Sequence, residues 1–236
     1  MSTRPGFVSV SDYVSLPRDP ETWLLRPLIP VSGAALLYGE AKLGKSSLAI
    51  QLAAAISGGS SNWLGFDVVR AGRVAYLQLD TPRSTWALRF DAIRKGKLLK
   101  LDDETLKLAD RECLEEFPFD VLQPKHMNYL QALLRPLKPV AVIVDTLREV
   151  HSGDEDSSTV MRNVIANLVA ATFPAALIIV SHSRKPNFEG HKDLMADHRG
   201  SSYTAGRMDA ILRLTHNKLH YSGRSIEEGD IKLIRE

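Results

Sequence analysis

The chain has 236 residues, 44% of them hydrophobic and 25% charged, an ordinary globular balance that excludes a fibrous or globally disordered protein. One cysteine, Cys113, excludes a disulfide framework and any multi-cysteine zinc or iron–sulfur centre, and points to a reducing compartment. A formal net charge of +2 is too small to mark a nucleic-acid binder, so any such contact must come from a local patch.

No apolar run approaches the ~20 residues that span a bilayer, and the first residues carry no apolar signal core. The expectation is a cytoplasmic protein without a membrane partner. Residues 1–30 hold Pro5, Pro17, Pro20, Pro27 and Pro30, so no long helix crosses them. They read as an N-terminal arm, pinned by Trp23, Leu24, Leu25, Leu28 and Ile29 to a single domain over residues 31–236. Residues 34–38 read as a buried strand, and 45–56 as a helix with apolar Leu48, Ile50, Leu52 and Ala53, ended by Gly58 and Gly59. A second strand is predicted at 74–79 and a helix at 84–97. Next come a short strand at 106–108, a helix at 126–135 stopped by Pro136, and a β-branched central strand at 140–144. A helix at 160–171 and an all-apolar strand at 175–180 complete the alternation. Such strands interleaved with helices predict an α/β fold, its mostly parallel central sheet flanked by helices on both faces. After Met208 three antiparallel strands are predicted, at 208–214, 218–222 and 230–234, with Glu228-Gly229 in the second turn.

The chemistry enters at Gly39, Glu40, Ala41, Lys42, Leu43, Gly44, Lys45 and Ser46, which match G-x-x-x-x-G-K-[ST]. Two glycines let backbone N–H groups wrap a phosphate, Lys45 reaches the β and γ oxygens, and the Ser46 hydroxyl holds Mg²⁺. The helix opening at Lys45 adds its positive end, with Ser47 in the first turn. The pattern follows an apolar strand and opens a helix, the context it requires. These residues predict binding of a nucleoside triphosphate with Mg²⁺.

Asp145, at the carboxyl end of the 140–144 strand, is placed to hold the Mg²⁺ together with Ser46. Thr146 follows it, so the Asp-Glu pair of AAA+ enzymes is missing and the acid that activates water must come from elsewhere. Asp80, ending the 74–79 strand, is the leading candidate; Glu149 and Glu40 are weaker ones.

The P-loop, the acid after Tyr76-Leu77-Gln78-Leu79, and Val144-Asp145-Thr146-Leu147-Arg148 together resemble the RecA-like ATPase superfamily. Within it the chain is most similar to RepA-type replicative helicases of plasmids and phages. Ser181-His182-Ser183-Arg184-Lys185 and the later His198-Arg199-Gly200-Ser201-Ser202 add to the match, which covers about residues 23–236. The resemblance implies a RecA-like P-loop core that hydrolyses ATP with Mg²⁺. It implies that His182 senses the γ-phosphate, and that the following loop, with Arg184, Lys185, Lys192 and Arg199, grips single-stranded DNA. It also implies a homo-oligomer with nucleotide between subunits, a hexamer in the helicase case, working with replication proteins. A basic residue donated in trans belongs to that arrangement; Arg224 is the first candidate, before Lys218 and Arg207. Two further functions remain open: a filament-forming recombinase or annealing ATPase, and a nucleotide-gated scaffold that hydrolyses weakly, for which Asp80 in place of a glutamate is the supporting feature.

Overall fold

Strands that are apolar on both sides must be covered on both sides, and this requirement organises the computed structural model, which describes residues 9–15, 22–96, 101–116, 118–183, 204 and 206–234. An eight-stranded sheet runs in the order β12-β11-β10-β3-β9-β8-β6-β7. Six of its strands are parallel: β3 (Ala34–Gly39), β6 (Val74–Gln78), β7 (Leu106–Asp110), β8 (Ala141–Asp145), β9 (Ala176–His182) and β10 (Ala210–Leu214). The last two, β11 (Lys218–Gly223) and β12 (Ile226–Lys232), continue from β10 as an antiparallel meander. The predicted mostly parallel sheet with antiparallel C-terminal strands is the observed one.

Alternation along each strand divides the core in two. Ala35, Leu37, Val74, Tyr76, Ile143 and Ile178 face α2 (Lys45–Ser57), together with Trp86 of α3 (Arg83–Gly96). Their neighbours Leu36, Tyr38, Leu77, Val142, Val144 and Ile179 face α4 (Pro124–Leu134) and α5 (Ser158–Thr172). Helix α5 presents Met161, Val164, Ile165 and Leu168 at helical spacing, and its Ser157 N-cap accepts from the Val160 N–H. Each large side chain buried this way contributes roughly 1.5–3 kcal/mol. Among the described residues no helix is long and apolar enough to cross a membrane.

Two parts differ from expectation. Residues 23–30 are strands: β1 (Trp23–Arg26) and β2 (Ile29–Pro30) join β5 (Phe66–Val68) and β4 (Asn62–Trp63) in a small antiparallel sheet ordered β2-β1-β5-β4. Leu24, Leu25, Leu28 and Ile29 are buried in the same core as α2, so these residues pack as the sequence predicts while adding a sheet it does not show. Ahead of them, a short helix α1 spans Val10–Ser15. The second difference is at the C-terminal meander. The turn falls at Arg224-Ser225, not at Glu228-Gly229, which lie inside β12. Gly229 stands opposite Tyr221, and a Cβ there would run into the phenol ring, so this glycine marks the close approach of a side chain within a strand.

After β8 a single 3-10 turn (Leu147–Val150) leads to His151, whose side chain is fully buried 3.9 Å from Glu155. Burial pulls its pKa below 6.5, against the opposing pull of Glu155. A base whose folded pKa is depressed takes up its proton preferentially when unfolded, so stability falls as pH drops below about 6.5. The expected slope reaches at most about 1.4 kcal/mol per pH unit from this group, and urea titrations of His151→Leu between pH 7 and 5 should be flatter than those of the wild type.

Candidate functional site

The carboxyl ends of β3, β6, β8 and β9 meet at one edge of the sheet, and the sequence places a polar residue at or just past each. Gly39 ends β3, paired on one side with His182 of β9 and on the other with Leu214 of β10. The chain then turns through Lys42 (φ 66°) and Gly44 (φ 90°) into α2, whose N-cap supplies no side-chain hydrogen bond. The first N–H groups of α2 are therefore open to an anion. A Cβ at Gly44 would meet nothing within 4 Å, so the glycine is required for its left-handed backbone instead.

Lys45, Ser46, Asp80, Asp145 and His182 line one cavity of about 450 Å³ with Ala41, Lys42, Gly44, Ser47, Thr81, Arg89 and Thr146. The structure thus brings together the P-loop, both candidate acids and the candidate sensor. The Lys45 ammonium donates to the carbonyls of Gly39 (3.0 Å) and Glu40 (2.7 Å) and lies 3.3 Å from His182 Nδ1. Burial lowers the Lys45 pKa against the attraction of Asp145, Asp80 and Glu40. Asp145 is 2% exposed, and burial raises its pKa although the Ser46 hydroxyl and the Tyr76 phenol both donate to it. The Tyr76 bond to Oδ2 is 2.8 Å long.

Asp80 sits on a turn clamped by the Gln78 side chain, which accepts from the Thr81 N–H (2.9 Å) and donates to the Thr81 carbonyl (2.5 Å). The Leu79 N–H donates to the Asp145 carbonyl at 2.8 Å, tying the ends of β6 and β8 together. Among the described residues, Asp80 and Asp145 are the acids that line the cavity. Glu149 is held elsewhere by Arg111 at 3.0 Å, and Glu40 is not among the lining residues.

Arg224 is not at this edge. It lies in the β11–β12 turn at the opposite end of the sheet, 3.7 Å from Asp209, with its side chain 61% exposed. Lys218, at the other end of β11, stands at the phosphate edge of the sheet and pairs with Asp230 at 3.1 Å. Arg184, Lys185, Lys192 and Arg199 lie outside the described residues.

Sequence reasoning missed two residues of the site, Arg89 in the cavity's wall and Tyr76 behind it. Tyr76 is buried two positions before Gln78 on β6 and reaches Asp145 from below. Arg89, on α3, lies over the Trp86 ring at 5.4 Å, and its buried Nη1 has no hydrogen-bond partner among the described residues. Trp86 packs edge-on against Tyr76, centroids 5.0 Å apart, so one aromatic stack supports both. A buried donor without a partner costs about 1–3 kcal/mol, which an anionic ligand in the cavity would recover. The available signal is an arginine nine residues after Asp80, on a helix that starts beside the cavity.

The donor set suits Mg²⁺ with a triphosphate: one hydroxyl, one carboxylate and open backbone N–H groups. Among the described residues no group of three or more His, Cys, Asp or Glu could hold a metal alone, so phosphate oxygens and water would complete the shell. Tyr76→Phe keeps the shape and removes the bond that orients Asp145. The expected result is an unchanged fold and about a tenfold rise in the Mg²⁺ concentration needed for half-maximal nucleotide binding, read by titration with a fluorescent ATP analogue.

The sequence model of the AAA domain family matches residues 2–187. No curated protein matches the chain. Among solved structures, one ATPase domain is similar over 85% of this chain and 80% of its own, at 14% identity and a TM-score of 0.59. A KaiC-like protein from the hyperthermophilic archaeon Pyrococcus horikoshii OT3 is similar over 90% of this chain and 87% of its own, at 11% identity and a TM-score of 0.50. At these identities the likenesses establish the fold, that of a RecA-like P-loop ATPase domain.

Proposed function

Because the chain belongs to the AAA domain family and has a RecA-like P-loop ATPase fold, we propose that it is a Mg²⁺-dependent ATPase driving movement on single-stranded DNA, a hexameric replicative helicase of the RepA type. The observation that carries this reading is the contact between Lys45 and His182 at the joined ends of β3 and β9.

Lys45 donates to the carbonyls of Gly39 and Glu40 and lies against His182. With a triphosphate in the cavity, Lys45 would hold its β and γ oxygens and His182 would stand at the γ-phosphate side. Mg²⁺ supplies neutralisation of the charge that develops on the phosphate oxygens. Ser46 and Asp145 would hold it, with Tyr76 fixing the carboxylate. Asp80, the remaining acid of the cavity wall, orients and deprotonates the attacking water; Arg89 donates to the phosphate oxygens. His182 immediately precedes the segment with Arg184, Lys185, Lys192 and Arg199, to which we assign the grip on DNA. Arg224, exposed at the far end of its own sheet, cannot reach its own nucleotide cavity and stays our first candidate for the trans arginine, with replication proteins as further partners.

The test is strand separation of a forked DNA duplex. The wild type should unwind it with ATP and Mg²⁺, and Lys45→Ala should not; equal inactivity of both would contradict the helicase reading. One observation favours the weaker alternative of a nucleotide-gated scaffold: the acid at the water position is an aspartate, one methylene shorter than glutamate, and a misplacement near 1 Å costs about 100-fold. Asp80→Glu separates the two. Turnover unchanged or reduced fits a tuned motor, whereas a gain of about 100-fold would identify a scaffold.

A further inference from the structure

The loop from β6 to α3, residues 79–82, carries Asp80 to the wall of the nucleotide cavity. The Asp80 carboxylate forms no hydrogen bond or salt bridge among the described residues. Its two neighbours are the opposite case. Thr81 is held through both of its backbone polar groups by the Gln78 side chain, which accepts from the N–H (2.9 Å) and donates to the carbonyl (2.5 Å). Leu79 is held by Arg111, whose Nε donates to its carbonyl while Nη2 donates to Glu149 at 3.0 Å. Just past the loop, Arg83 opens α3 and donates to both oxygens of Asp110, at 2.6 and 2.7 Å.

Topology explains why these groups meet. Gln78 ends β6 and stands in register between Asp110 of β7 and Asp145 of β8. Arg111 follows Asp110, so the end of the edge strand reaches across the loop to Glu149 in the 3-10 turn after β8. Strands β6, β7 and β8 thus fix the loop together. An exposed pair such as Arg83–Asp110 is common and contributes little by itself. Gln78 is not explained that way. It is 3% exposed, on the face of β6 that buries Val74 and Tyr76. Taking an amide out of water is costly unless its bonds are remade inside, and here both polar atoms are spent on the residue next to Asp80. An aspartate side chain is short, so its carboxylate goes where its backbone goes. A displacement near 1 Å in a reacting group costs about 100-fold.

Resting on the assignment of Asp80 as the water-activating acid, we propose that Gln78 and Arg111 are positioning residues. They fix Thr81 and Leu79 so that the Asp80 carboxylate is delivered to the attacking water. Neither residue lines the cavity, so both act through Asp80.

The test is a double-mutant cycle on Mg²⁺-ATP turnover, with nucleotide affinity read in parallel by a fluorescent ATP analogue. Gln78→Met keeps the length and removes both bonds to Thr81. Arg111→Met removes the bond to Leu79 at a side chain 44% exposed, and carries the same cycle if the buried variant folds poorly. Each should lower turnover at least about tenfold while affinity changes less than about threefold. In an Asp80→Asn background, itself about 10²-fold or more slower, neither should lower turnover by more than about twofold. Full turnover in both variants, affinity lost in step with turnover, or losses that multiply with that of Asp80→Asn would overturn the proposal and leave the role of Asp80 standing. Asp80→Asn as active as the wild type would remove that role, and the clamp with it.

Discussion

Asp145→Asn is expected to lower ATP turnover by roughly 10²–10³-fold and to raise the Mg²⁺ concentration needed for nucleotide binding, while leaving the fold intact. The carboxylate is 2% exposed, and the Ser46 hydroxyl and the Tyr76 phenol both donate to it. Asparagine preserves the shape and can still accept from Tyr76, but it removes the charge that holds Mg²⁺ against the phosphates. The effect on stability has the opposite sign. Burial raises the pKa of Asp145, so the ionised group opposes folding at neutral pH, and its contribution improves as pH falls toward that raised value. The neutral variant should therefore melt no lower than the wild type without nucleotide. A fall in both turnover and melting temperature would show that Asp145 is structural.

Gly39→Ala is expected to destabilise the protein by about 3 kcal/mol or more and to lose nucleotide binding with it. A Cβ at Gly39 meets the carbonyl oxygen of Leu214, its register partner on β10, and the backbone φ is 157°. The obstacle is the backbone of a neighbouring strand, which cannot yield without opening the β3–β10 pairing. The Gly39 carbonyl also accepts from the Lys45 ammonium and the Ser183 N–H, both at 3.0 Å, so displacement there reaches the phosphate cavity. A chain of this size should melt about 6–12 °C lower. Gly44→Ala is the contrast. Space is free there, only the left-handed backbone is strained, and the cost should be about 1–2 kcal/mol.

What can be read from the sequence follows from the range of each interaction. The P-loop, Asp145 and His182 are legible because each closes an apolar run, and parallel strands carry their ends to one edge of the sheet. The small sheet is not. Strands of two to four residues, such as Ile29–Pro30 and Asn62–Trp63, carry no period, and β1 finds β5 some forty residues away. Gly229 reads as a turn because sequence shows a glycine but not the Tyr221 ring lying over it. Tyr76 and Arg89 escape for a related reason. One looks like core and the other like a surface cation, and only the packing of α3 on β6 through Trp86 brings Arg89 to the cavity wall beside the Tyr76 that supports Asp145.

The central claim, that this cavity is the engine of a DNA-coupled motor, is tested most directly by steady-state ATP hydrolysis with and without single-stranded DNA, using Lys45→Ala as the blank. The account predicts Mg²⁺-dependent turnover that rises clearly when DNA is added and vanishes in the blank. Tight ATP binding with turnover indifferent to DNA would contradict it.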